Sequence, residues 1–156
     1  MTDSITSDRV TSFVERHPDA AMITLRADGS AHMARVELGV VDGQIRTAGS
    51  PALVRTRNLR RDPRCSLFVF TAHPWWLGLE TVVHIIEGPM APGELMSLLR
   101  ARHPGTPRGM VTAHDDALEG DRLYSESEYV EHARQHELMV FEFRVVRAYG
   151  NTGMTG

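Results

Sequence analysis

The residues most able to do chemistry are five arginines that lie within ten positions of one another. They stand in the segment Arg-Thr-Arg-Asn-Leu-Arg-Arg-Asp-Pro-Arg, which begins at Arg55. A helical segment would place four of them on one face: Arg57, Arg60, Arg61 and Arg64. Arg55 would lie near the positively charged start of that helix. Because guanidinium groups bind phosphate and carboxylate through paired hydrogen bonds, the pattern predicts an anion site, with a solvated basic face as the alternative.

Other residues with catalytic or metal-binding chemistry form no convincing group. The eight histidines are scattered along the chain. His132 and His136 stand four residues apart on a predicted helix, a spacing that suits a shared metal ion. Their charged neighbours favour a solvated helix face instead, so we expect no metal. The single cysteine, Cys65, excludes an intramolecular disulfide.

Composition excludes several classes of protein. The chain has 156 residues, of which 42% are hydrophobic and 24% charged, as in a single globular domain, expected over 1–156. Its apolar runs are too short to cross a bilayer, and its polar start does not resemble a signal peptide. The net charge of −3 gives no general reason to expect nucleic-acid binding. We therefore expect a cytoplasmic protein without a nucleic-acid or membrane partner.

The elements that must position the arginines are mostly predicted strands. Asp-Gly pairs at 28–29 and 42–43 mark hairpin turns between short β-prone runs. Strands are expected at 21–25, 31–40, 44–48, 65–70, 81–88 and 138–146. Helices are expected at 7–17, 51–61, 92–103 and 125–136, and the stretch 104–120 is expected to be a loop. Ser50 is the predicted N-cap of the second helix, which carries the arginines.

This order of elements predicts a mainly β fold with inserted helices. The first three strands are expected to form an antiparallel meander. A six-stranded antiparallel β-barrel accommodates all six strands, because closing the sheet removes the exposed edges that such strands would otherwise leave.

The arginine segment also resembles a family motif. Together with the hairpin at 24–32 and the strand segment at 86–88, it is similar to the split β-barrel flavin and deazaflavin oxidoreductases related to pyridoxamine 5′-phosphate oxidase. The branch that it resembles most is the class B reductases that use coenzyme F-420. The resemblance implies an FMN-binding-like split β-barrel that forms a homodimer, with cofactor sites at the interface.

The resemblance further implies a set of cofactor contacts. The phosphate group of the cofactor is expected at four consecutive residues: Arg55, Thr56, Arg57 and Asn58. The ring system is expected along one strand, at Met33, Arg35, Val36 and Glu37. Further contacts are expected from Thr47, Ser50 and Trp76. Trp76 is named from its residue type, because an aromatic ring can stack on a planar cofactor. Adjacent residues of a strand point to opposite faces, so only one of Trp75 and Trp76 is expected to face the pocket, with Trp75 as the alternative.

The function implied is that of an oxidoreductase dependent on coenzyme F-420, which transfers hydride to a small conjugated or planar substrate. Arg60, Arg61 and Arg64 favour F-420 over FMN, because F-420 carries an anionic glutamate tail. A cofactor of this type supplies the hydride itself, so no catalytic group need be visible in the sequence. The alternatives are an FMN-dependent oxidase-like enzyme and a non-catalytic module that binds flavin, deazaflavin or haem.

Overall fold

A computed structural model describes residues 5–153 and shows nine strands and four α-helices in that range. The strands are β1 (Asp19–Leu25), β2 (Ala31–Glu37), β3 (Gly39–Val41), β4 (Gln44–Gly49), β5 (Arg64–Phe70), β6 (Trp76–Ile86), β7 (Met110–Asp115), β8 (Gly120–Ser125) and β9 (Met139–Asn151). The helices are α1 (Ser7–Arg16), α2 (Val54–Arg61), α3 (Ala91–Arg102) and α4 (Glu126–Gln135). Among these helices, none is long and apolar enough to cross a membrane.

Seven of the strands form one antiparallel sheet in the order β2-β1-β5-β6-β9-β4-β3. Its two edge strands, β2 and β3, follow each other in the chain and are separated by Leu38 alone. The sheet therefore curls so that its two edges converge at Leu38. Across this closure, Thr47 Oγ1 donates a hydrogen bond to the Glu37 carbonyl (2.8 Å). The mainly β split barrel with inserted helices is thus confirmed, and the predicted strand 31–40 is the one that breaks into two.

The predicted meander at the front of the chain is wrong. Both Asp-Gly hairpins form, and Asp42 and Gly43 have the positive φ values (+50° and +75°) that a tight hairpin turn requires. However, β2 pairs with β1 at one edge of the sheet, whereas β3 and β4 lie at the other, where β4 pairs with β9. The bend at Leu38 separates the two hairpins, because the buried Leu38 side chain turns inward where the barrel closes.

Other predicted boundaries also change. β6 begins at Trp76 and β9 continues to Asn151, because the two strands pair along their whole length around a bulge at Glu80/Thr81. The predicted loop 104–120 contains β7, which pairs with β8. Its glycines and prolines flank a strand whose Val111 and Ala113 are buried.

The helix that carries the arginines starts three residues later than predicted. Its N-cap is Leu53, and no side chain caps it, so Ser50 is not the N-cap. Ser50 instead forms the preceding turn, in which its carbonyl accepts hydrogen bonds from the Leu53 N–H (3.4 Å) and the Thr56 hydroxyl (2.6 Å). Pro51 lies in this turn and not at the first helical position.

Two buried clusters hold the fold together. The first fills the barrel and includes Phe13 of α1, Met22, Leu67 and Phe141. The second joins α3, α4 and the β7–β8 hairpin, and its members include Leu95, Val111, Tyr124 and Tyr129. An ionic contact fastens α3 to the barrel, since buried Arg46 pairs with Glu94 (2.6 Å) and Glu142 (2.8 Å). The barrel and α3 are therefore fixed relative to each other.

Candidate functional site

Buried polar contacts position α2 against the barrel. Asn58 Nδ2 donates to Thr24 Oγ1 of β1 (3.1 Å), and Thr56 Oγ1 donates to the Ser50 carbonyl (2.6 Å). Both α2 side chains are buried. Asn58 and Thr56 therefore anchor the helix that carries the arginines. A phosphate group could bind them only in addition to the hydrogen bonds that they already form within the chain.

Three of the arginines are engaged within the chain. Arg60 pairs with Glu87 (2.6 Å), and Arg61 donates to the Leu25 carbonyl (2.6 Å). Arg64 pairs with Asp62 (2.8 Å). The expectation of four arginines on one helix face is wrong, because α2 ends at Arg61 and Arg64 is the first residue of β5. Because their guanidinium groups already have partners, these three arginines favour the anionic tail of F-420 less than the sequence indicates.

The other two arginines are free of such contacts. Neither Arg55 nor Arg57 forms an ion pair or side-chain hydrogen bond with residues 5–153. Arg57 is exposed, whereas Arg55 is half-buried and its Nε atom is shielded from solvent without a partner. Burial lowers the pKa of the Arg55 guanidinium from its usual value. A buried donor left unbonded costs about 1–3 kcal/mol, so the start of α2 is a position where an anion would be stabilising.

A second buried nitrogen lies near the same helix. His32 stands on β2 directly opposite Thr24, the residue that Asn58 of α2 contacts. Its Nδ1 atom is shielded from solvent and has no hydrogen-bond partner in the described chain. His32 was not singled out as a candidate from the sequence. The sequence feature that could have indicated it is the alternation along β2. His32 falls on the inward-facing positions of this strand, where the other residues, Ala34 and Val36, are small or apolar.

The predicted ring contacts of β2 divide between its two faces. Met33, Arg35 and Glu37 lie on the outer face, and Met33 is 72% exposed. Arg35 pairs there with Asp19 (2.8 Å). Val36 points into the barrel and is 6% exposed, so its side chain cannot touch a ligand on the outer face. Because β2 is an edge strand, its outward backbone N–H and C=O groups are open to a ligand.

The remaining predicted contacts lie farther away. Thr47 is 3% exposed, and its hydroxyl both donates to the Glu37 carbonyl and accepts from Arg102 Nη2 (3.1 Å). Trp76 lies on β6, three strands from β2 in the sheet, which is about 14 Å at the usual spacing between strands. Its ring contacts Phe68 and Tyr149. Within one chain, α2 thus packs against β1, the strand that pairs with β2, whereas Trp76 lies three strands from β2.

The histidine pair on α4 belongs to an aromatic cluster. The rings of His132 and His136 are 4.6 Å apart, and His132 also stacks near Tyr124 and Tyr129. Burial, together with His136, lowers the pKa of His132. Among residues 5–153, no group of three or more potential ligands is arranged to hold a metal ion.

No protein-family model matches the sequence, and no curated protein is significantly similar to it. Solved structures share its fold at low identity. A conserved hypothetical protein from Mycobacterium tuberculosis is 19% identical, with a TM-score of 0.67 over 97% of this chain and 90% of that one. A proposed pyridoxamine 5′-phosphate oxidase from Listeria innocua is 13% identical, with a TM-score of 0.61 over 92% and 96%.

An F-420 reductase is 14% identical, with a TM-score of 0.60 over 88% of this chain and 93% of that one. Haem-binding proteins also have this fold. The chain therefore has the split β-barrel fold of the pyridoxamine 5′-phosphate oxidase-like proteins, as the resemblance implied.

Proposed function

We propose that this chain is an oxidoreductase that binds coenzyme F-420, with FMN as the alternative cofactor. The observation that carries the proposal is Arg55, a half-buried guanidinium without a partner at the uncapped start of α2. A phosphate group there would supply the missing acceptor and would meet the positive end of the helix dipole. His32 adds a second unpartnered nitrogen near the α2 anchor, on the inner side of β2.

The ring system of the cofactor is proposed to lie along the outer face of β2. From His32 to Glu37 the strand spans about 17 Å, which leaves room for a linker and three fused rings beyond the phosphate. Met33 offers an exposed apolar surface to such rings, and the open edge of β2 offers backbone hydrogen bonds. The residues present therefore fit the group.

Bound in this way, the cofactor would supply hydride chemistry, while the chain binds it, orients it and excludes water. A small conjugated or planar substrate is proposed, because it would stack on the exposed side of the ring. Arg55 holds the phosphate end, and β2 fixes the orientation of the ring by its backbone.

A homodimer with cofactor sites at its interface is part of this proposal. The outer face of the sheet carries an aromatic cluster in which Phe68 contacts Phe70 and Trp76, and Trp76 contacts Tyr149. Phe68, Phe70 and Trp76 are 37–47% exposed. Exposed apolar patches of this kind mark interaction sites. A second copy covering this face would also bring a Trp76 towards the cofactor, which the same chain's Trp76 does not reach.

The proposal is tested by titrating purified protein with F-420 and with FMN, followed by tryptophan fluorescence. We expect micromolar or tighter binding of F-420. Arg55→Ala should weaken it about tenfold to a hundredfold, the loss of a hydrogen bond to a charged group. Arg57→Ala should weaken it less, because Arg57 is exposed. Arg108→Ala, an exposed arginine in the loop before β7, is the matched control.

Each other outcome has a definite meaning. Tighter binding of FMN than of F-420 would assign the protein to the flavin-dependent alternative. Binding of neither would overturn the proposal. Unchanged affinity in Arg55→Ala would overturn the assignment of the phosphate site.

A non-catalytic module is the second candidate, because no side chain on the outer face of β2 is placed as an evident proton donor and haem-binding proteins share the fold. It predicts binding of flavin, deazaflavin or haem without turnover. Steady oxidation of bound reduced cofactor by a panel of small acceptors would exclude it.

A further inference from the structure

Arg102, the last residue of α3, is a half-buried arginine beyond the predicted phosphate site. Its Nη2 donates to Thr47 Oγ1 (3.1 Å), and this is its one side-chain hydrogen bond within residues 5–153. Its Nε is shielded from solvent without a partner. Burial lowers the pKa of Arg102, and the negative charge of Glu37 offsets only part of that effect. The guanidinium is therefore partly desolvated and holds unused N–H donors.

This side chain lines a cleft of about 360 Å³ between the end of α1, the β2–β3 junction and α3. Glu15 and Glu37 lie on the same cleft. Its wall is closely packed, since a Cβ at Gly39 would lie 2.5 Å from Leu98 Cδ1 and 3.5 Å from Arg102 Cγ. The position of Arg102 is thus fixed by the approach of α3 to β3.

The charges of the cleft select the kind of group that fits. One guanidinium and two carboxylates give it a net negative charge, which opposes the entry of an anion. Arg102 nevertheless has donors to spare, and the carboxylate of Glu37 is an exposed acceptor without an ion pair among the described residues. A neutral group with a carbonyl oxygen beside an N–H can accept a hydrogen bond from Arg102 and donate one to Glu37 without adding charge.

We propose that this cleft binds the amide or imide edge of a small planar ligand. Arg102 donates to the carbonyl oxygen of the ligand, and the Glu37 carboxylate accepts its N–H. Two sources can present this edge: the imide of a flavin or deazaflavin ring, or a lactam or imide of the substrate. Glu37 ends β2 at the opposite end from the α2 contact, so a ring lying along β2 points its far edge here. Where the source is the cofactor, the inference rests on the proposed function.

The experiment uses the full chain and small imide probes. Arginine Nε–Hε signals are recorded by NMR on protein labelled with ¹⁵N-arginine, and the Arg102 signal is assigned as the one lost in Arg102→Lys. Succinimide, N-methylsuccinimide and acetate are then titrated separately. We expect succinimide to shift the Arg102 signal saturably, N-methylsuccinimide to bind more weakly, and acetate to cause no saturable shift.

Variants separate the two contacts. Arg102→Lys keeps the charge but replaces the guanidinium group by an ammonium group at the end of a shorter side chain, and should weaken succinimide binding about tenfold, the loss of one charged hydrogen bond. Arg100→Lys is the matched control, since Arg100 is exposed on the same helix and pairs with Glu126. Glu37→Ala removes the acceptor at an exposed position, so it tests this contact even if Arg102→Lys does not fold. It should weaken the binding of succinimide but not that of N-methylsuccinimide.

Two results would overturn the inference: no saturable shift with succinimide, or a saturable shift with acetate and not with succinimide. The source follows from competition. Displacement of succinimide by F-420 or FMN identifies the ring of the cofactor, whereas simultaneous binding identifies a substrate subsite. If neither cofactor binds while succinimide does, the proposed function fails and this inference stands.

Discussion

At the scale of single residues, the important distinction is between arginines that have partners and those that do not. The sequence shows five arginines in one segment but not their acceptors, because Glu87 and the Leu25 carbonyl come from distant parts of the chain. Only folding reveals that Arg55 retains unused donors. His32 and Arg102 could not be singled out from the sequence for the same reason, since an unpaired buried nitrogen is a property of tertiary packing.

Replacing Arg55 separates stability from binding. We expect Arg55→Met to leave the free energy of unfolding of the ligand-free protein unchanged or to raise it by about 1 kcal/mol, because it removes an unpaired, partly desolvated charge and keeps the apolar stem. Urea denaturation measures this. A loss of more than about 1 kcal/mol would mean that Arg55 has a structural role and would weaken its assignment to a ligand.

Tyr129 gives a prediction for alkaline pH. Burial, followed by neighbouring Tyr124, raises the pKa of Tyr129 to about 12. Because the folded protein keeps this phenol neutral while the unfolded chain ionises near its ordinary value of about 10, its contribution to stability is complete below pH 10. That contribution is lost as the pH rises from about 10 to 12. Tyr129→Phe should show a shallower fall of the unfolding free energy in that window, and an unchanged slope would contradict the prediction.

At the scale of elements, local signals predict well and long-range pairing does not. Turn, capping and periodicity rules predict both Asp-Gly hairpins and the central residues of the strands in the large sheet. They also predict the approximate limits of three helices: α1, α3 and α4. The sequence does not indicate the break at Leu38 or the extension of β6 and β9, because these depend on which strands become neighbours. β7 was missed because its flanking glycines and prolines resemble a loop.

The start of α4 provides a test of one such local signal. Ser125 accepts from the Glu128 N–H (3.2 Å), and the Glu128 carboxylate accepts from the Ser125 N–H (3.3 Å), which together form a capping box. Ser125→Ala should lower the free energy of unfolding by about 1 kcal/mol. Ser97→Ala, at an exposed position within α3, is the control and should lower it by less than about 0.5 kcal/mol. Equal losses in the two variants would show that the cap contributes nothing.

At the scale of the whole molecule, the curled sheet leaves one broad face without a cover. Successive positions across it run from Arg35 through Ala21, Phe68 and Gly78 to Tyr149. Alternation along each strand predicts which residues point outward, but not that α1, α3 and α4 all lie elsewhere and leave this face bare. The rings of Phe68 and Trp76 therefore remain about 40% exposed in the single chain.

This bare face leads to the prediction that the protein is a homodimer through the outer side of β1, β5 and β6. Burying the aromatic cluster in a second copy would stabilise the assembly. These rings are 37–47% exposed in the single chain, so each would contribute about 1 kcal/mol, a part of the value for burying a fully exposed side chain. Phe68→Asp would place a charge at the centre of that contact and should convert the dimer to a folded monomer. Leu118→Asp, at a still more exposed apolar position in the β7–β8 turn, is the control and should remain dimeric. Sedimentation equilibrium gives the mass directly, and circular dichroism checks the fold of each variant.

A monomeric wild-type protein would contradict the prediction, and a dimeric Phe68→Asp would place the interface elsewhere. In the expected case, Phe68→Asp should also weaken the binding of F-420 although it lies outside the phosphate site, because the site would then be completed only when two copies meet.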